Sequence, residues 1–229
     1  MSIIDGGDAF STFDPVTGGY GPATRTVADV VRALKRTFGD ESGVQIEDAD
    51  ILMWINDAQD EIVKRNKILK AASTATSIIN QASYQFPTED ILQIESLHFD
   101  EMKLQNMPFA QAEQDFINKD TPTEYGTPIL WWEWGGVFTL YPAPNQMLEI
   151  KLYYTKKPVR ITSVIDLLSV PDKYYKQVVD YAMQQAYEMD EEPELSQMKG
   201  QQFETGLDNM AEEERTAQQM TYPTITILD

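Results

Sequence analysis

Apolar residues recur along this chain with two periods, and the period changes twice. Val27, Val30, Val31, Leu34 and Phe38 fall on one stripe of a 3.6-residue repeat. Thr26 is placed to cap that helix, Asp29 lies in its first turn and Gly39 ends it. A second helix is predicted from about Asp48, with Ile51, Trp54, Ile55, Ala58, Ile62 and Leu69 on one face. Lys64, Arg65, Lys67 and Lys70 follow in its last turns, where cations complement the negative end of the helix dipole. That placement makes the basic cluster a helix terminus rather than a phosphate site.

From Ser73 the period moves toward two. Thr74 to Ile79 and Tyr84 to Phe86, separated by Asn80, Gln81 and Ala82, read as a hairpin. Further strands are expected at Ile91 to Phe99, Ile129 to Trp134, Val137 to Tyr141 and Met147 to Tyr154. Gly135 and Gly136 join two of these and suit a primed two-residue turn, because glycine takes positive φ at little cost. Pro108 to Phe116 reads as a short helix, and Asp120 to Pro128 as a loop.

The helical period returns after Pro158. Pro171 sits in a first turn with Ser169 as candidate cap, and Tyr174, Val178, Tyr181, Ala182, Gln185 and Met189 form a stripe. A last helix is expected from Pro193 to about Gln218, burying Leu195, Met198, Phe203, Leu207 and Met210. The pattern predicts an α+β chain: a helical bundle from N- and C-terminal helices, an inserted antiparallel β-rich domain, and extended termini. The expected boundaries are an arm over 1–25, helical parts over 26–72 and 169–219, a β-rich insertion over 73–168, and a tail over 220–229.

The tail, MTYPTITILD, is β-branched and alternates after Pro223, with no partner strand adjacent in sequence. An isolated strand is marginal. Two readings follow: docking onto a neighbouring subunit or another protein through Tyr222, Ile225 and Ile227, or pairing within the chain's own β section.

Charge narrows the picture. Thirty-seven acids against eighteen bases give −19, a field that repels phosphate and disfavours sequence-reading DNA binding. The excess grows along the chain, from −4 over 1–72 to −6 over 73–168 and −9 over 169–229. Glu204, Asp208, Glu212 and Glu213 belong to this last region. They form either an ordinary solvated face or the wall of a channel to which DNA must not adhere. No stretch approaches the roughly 18 apolar residues that span a bilayer. The N-terminus lacks the basic and apolar regions of a signal peptide.

Candidate chemistry is sparse. Without cysteine there is no thiol nucleophile or thiolate metal site. The single histidine, His98, lies in an expected strand and reads as structural. Paired acids such as Asp48/Asp50, Glu89/Asp90 and Asp100/Glu101 are ordinary at this acid content, and none has a calcium-loop spacing. Neither phosphate-binding glycine motif occurs, so no enzyme activity, cofactor or metal is expected. Trp131, Trp132 and Trp134 on the expected hairpin read as sheet core or as an inter-subunit or tail contact.

Five segments in order carry a family resemblance: DILMWINDAQDEIVKR (50–65), YQFPTEDILQIESL (84–97), GTPILWWEWGGVFTLYPAPN (126–145), IKLYYTKKP (150–158) and VPDKYYKQVVDYAMQQAYEMDEEPE (170–194). Together they resemble the head-to-tail adaptor, or connector, proteins of tailed bacteriophages. The resemblance implies a structural virion protein at the head–tail neck, assembled in the host cytoplasm. It implies a ring, usually of twelve copies, that joins portal protein to tail nozzle or tube and surrounds passing DNA without reading its sequence. It also implies a terminal segment that docks to the portal, a role matching the tail. The competing reading is an acidic DNA mimic or host-protein inhibitor.

Overall fold

The computed structural model describes residues 23–40, 42–43, 45–117 and 124–220, with side chains up to Thr216. Residues 1–22 of the expected arm and 221–229 of the tail, including Tyr222, Ile225 and Ile227, lie outside the described residues. The helices are α1 (Val27–Phe38), α2 (Asp48–Asn66), α3 (Phe109–Ala112), α4 (Tyr175–Met189) and α5 (Pro193–Met220). The strands are β1 (Lys70–Thr76), β2 (Ser83–Gln85), β3 (Ile91–Phe99), β4 (Met102–Lys103), β5 (Gln105–Asn106), β6 (Tyr125–Gly126), β7 (Leu130–Trp134), β8 (Val137–Tyr141), β9 (Ala143–Pro144) and β10 (Glu149–Lys156). The class is α+β, as the pattern predicts. The chain divides into two compact units: Lys70–Lys157 holds every strand, and the described residues on either side of it form a helical unit.

In the helical unit, α1 begins as expected. The Asp29 carboxylate accepts from the Thr26 amide (3.0 Å) and hydroxyl (2.9 Å), and Gly39 closes the far end at φ 88°. The first helical amides, which have no partner within any helix, find carbonyls far along the chain. Val27 N donates to Asp166 O and Ala28 N to Val164 O, both at 2.9 Å. Asp172 receives the amides of Thr24 (2.8 Å) and Arg25 (3.0 Å) together with the Thr24 hydroxyl.

Val164 and Asp166 belong to a return segment, residues 158–170, that is neither helix nor strand apart from one bridge between Thr26 and Leu167. The sequence pattern assigns most of it to the β-rich section, yet it joins the helical unit because α2 satisfies its backbone. The Asn56 amide donates to Ile161 O (3.0 Å) and accepts from Ile161 N (2.8 Å), while Gln59 Oε1 accepts from Ser169 N (2.6 Å). Ser169, expected to cap the following helix, instead uses its hydroxyl to bind both backbone groups of Val159. A short 3₁₀ turn, Asp172–Tyr174, leads into α4.

Two helix readings need correction. Leu69 does not lie on α2, which stops at Asn66 when Lys67 turns left-handed. Leu195 and Met198 are exposed rather than buried, because α5 turns Ser196, Gly200, Phe203 and Leu207 inward. That face admits polar groups from α4: a Cβ at Gly206 would lie 2.5 Å from Gln177 Nε2. Lys199 Nζ meets the buried Asp180 carboxylate at 2.7 Å.

In the β-rich unit, one sheet has the order β1-β10-β3-β4 and another β2-β8-β7-β5, with β6 and β9 a short parallel pair. The hairpin expected between Thr74 to Ile79 and Tyr84 to Phe86 does not form: β1 pairs with β10, and β2 with β8. Both sheets line one core, with Leu97, Phe99, Ile150 and Leu152 from the first and Tyr84, Trp131, Phe138 and Leu140 from the second. The β7–β8 hairpin forms as read, with Gly135 and Gly136 at φ 61° and 80°. The chain enters and leaves this unit on adjacent strands, Lys70 opposite Thr155.

Asn56→Ala removes both partners of Ile161 in a buried site, and an amide left without water or protein partners is costly; unfolding in urea should show a loss of about 2–4 kcal/mol. Asp29, Asp166 and Asp172 each have a carboxyl held below its ordinary 3.8 by hydrogen bonds from Thr26, Thr162 and Thr24 respectively. Because the folded value is the lower one, their contribution is complete above the unfolded value and lost as pH falls through the folded values. The unfolding midpoint should therefore drop below about pH 4, and Asp172→Asn should lower stability at pH 7 while making the acid slope shallower.

Candidate assembly surfaces

The groups best suited to chemistry are occupied with structure. His98 Nε2 lies 3.2 Å from Ser96 Oγ and the ring sits edge-on to Tyr153 at 5.4 Å. Its cross-strand neighbours are Lys151 and Lys103, and a serine with two lysines does not orient an imidazole as a base. Asp29, Asp166 and Asp172 are shifted down by hydrogen-bond donors, opposite to the direction a general acid requires. Burial raises the Tyr84 phenol, which stays protonated and donates to Gln81 O at 2.9 Å. Among the described residues no group of three or more His, Cys, Asp or Glu could hold a metal ion, and no helix is long and apolar enough to cross a membrane. A groove of about 620 Å³ in the β-rich unit is lined by Phe86, Ile91, Leu92 and Val137 with Glu89 and Glu133. Its lining holds no cation to activate either acid.

The tryptophans part company. Trp131 and Trp132, consecutive on β7, point to opposite faces and are both buried. Trp131 enters the shared core, and Trp132 stacks with Phe116, which also contacts Tyr141 at 4.1 Å. Both are taken up inside their own unit, which withdraws them as contacts to another chain. Trp134 is different: it is 66% exposed, with Phe109 stacked on one face at 4.1 Å. Phe109 and Phe116, two helical turns apart in sequence, cover the two tryptophans that share a strand face, and that spacing was the available signal.

An exposed apolar tip escaped the sequence reading. Ile78, Ile79 and Met147, expected within strands, lie just beyond the ends of β1 and β10 and are about half exposed or more. Ser77 holds the two loops together, donating from its amide to Leu148 O (2.8 Å) and accepting the Leu148 amide at its hydroxyl (2.9 Å).

The four acids read as one candidate channel face do not share one. Glu204, Asp208 and Glu212 follow a stripe along α5, but Glu213 is nine residues from Glu204, about 180° around the helix. The stripe is also partly neutralised. Arg65 on α2 binds Glu204 and lies 3.7 Å from Asp208, and Arg215 meets Glu212 at 2.9 Å. Glu204 in turn raises the Arg65 guanidinium. The basic end of α2 therefore does more than close a helix. Tyr222, Ile225 and Ile227 have no described position beside these residues.

The family model described as SU10 adaptor protein matches residues 25–225, spanning both compact units. No curated protein matches the chain.

Proposed function

Because the chain belongs to the SU10 adaptor protein family, a family of structural phage adaptor proteins, we propose that it is a ring subunit at the virion neck, joining the portal to the tail. The match across 25–225 carries this reading, since it takes in both units and not one shared fold fragment. In the proposed assembly, usually of twelve copies, the helical unit builds the ring, and DNA passes through its centre without base-specific contact. The β-rich unit meets neighbouring subunits or tail proteins through Trp134 and through the tip formed by Ile78, Ile79 and Met147. The acidic stripe on α5, where it is not balanced by Arg65 and Arg215, gives a surface that phosphate does not wet. The C-terminal segment fastens the subunit to an adjoining chain.

Electrostatics fixes a testable sign. Copies each carrying −19 repel, so association has to occur where charge is low, and added salt screens the cost. Sedimentation velocity and native mass spectrometry should show self-association that strengthens between about 0.05 and 0.5 M salt. Negative-stain images with portal protein present should show rings. A chain that remains monomeric with portal and instead binds a DNA-binding host protein would establish the acidic mimic in place of the adaptor.

A further inference from the structure

Sheet edges invite pairing, and folded proteins blunt them with short strands, charges, proline or bulges. Among the described residues nearly all sheet edges are blunted in these ways. β4, β5, β6 and β9 have two residues each and β2 has three. The part of β3 not covered by β4 is interrupted by two register shifts and carries Glu95.

β1 is the exception. It pairs with β10 in unbroken register from Lys70↔Thr155 to Thr76↔Glu149, and among the described residues no strand lies on its other side. Its sequence, KAASTAT, has no proline, and after Lys70 no charge occurs until Glu89. Apart from Lys70 its side chains are small.

The chain supplies one segment suited to that edge. Residues 223–228, PTITIL, are β-branched and alternating, and no charge occurs from Thr216 to Leu228. Six residues in a strand span about 20 Å, close to the seven residues of β1. The segment follows the C-terminal end of α5. Glu214 bonds to Lys173 and Tyr174 at the start of α4, and α5 then continues to Met220, about 9 Å farther.

We infer that residues 223–228 of one copy add as a fifth strand to the open β1 edge of a second copy, fastening neighbouring subunits by main-chain hydrogen bonds. The inference rests on the ring reading, because only self-assembly brings a second β1 within reach. Two chains of −19 meet here through segments that carry no charge beyond Lys70, which is where repulsion is least.

The absence of cysteine makes the test direct. One chain carries Thr74→Cys and another carries a single cysteine at each position from 223 to 228 in turn; the two are mixed under mild oxidation. The expected result is a disulfide-linked pair of chains at alternate tail positions, lost when a peptide of residues 221–229 competes. Lys103→Cys, on the short β4 edge, should give none. Intrachain closure when both cysteines are in one chain, with no product in the mixture, overturns the inference in favour of pairing within the chain. No product at any register while rings still form also overturns it and leaves the ring reading standing. Absence of both rings and product removes the two together.

Discussion

A backbone that is neither helix nor strand has to find partners for its amides and carbonyls elsewhere, and the return segment over residues 158–170 is where this chain meets that demand. Asn56 and Gln59 stand among apolar neighbours on α2 and would be liabilities there without the segment. Opposite Ile161 and Ser169 they become substitutes for a strand partner. The same segment gives carbonyls to the first amides of α1, so each side completes what the other lacks. Helices at the two ends of the chain are thereby held in one unit despite the long β-rich stretch between them.

What was legible in the sequence follows from the range of the interactions involved. The start and stop of α1 and the Gly135–Gly136 turn depend on residues a few positions apart, and both formed as read. Strand partners are a long-range choice: β1 and β2 are near in sequence, yet each found a better partner more than fifty residues away. The polar residues of α2 carried no readable signal, because their partners are 105 and 110 residues distant. On α5 the apolar stripe misled, since the inward face is built partly from Ser196 and Gly200 to leave room for side chains of α4.

The exposed and buried positions of the aromatic and acidic residues were legible in kind more than in place. Aromatic residues on a hairpin mark core or contact, and the split came out residue by residue, with Trp131 and Trp132 inside and Trp134 out. The acidic run was real, but charge on a helix is distributed by angle, and Arg65 had to be located before the unbalanced part could be recognised. The tip at Ile78, Ile79 and Met147 was hidden because β-branched and apolar residues in a row read as strand interior whether or not a sheet continues there.

Lys70 sits opposite Thr155, two residues before the unit ends at Lys157, so the two cuts that would release the β-rich unit fall close together. A segment whose ends meet can be lengthened, exchanged or replaced through recombination while the helical scaffold sees the same closed gap. Selection can then act on the inserted cassette alone while the helices that frame it stay unchanged.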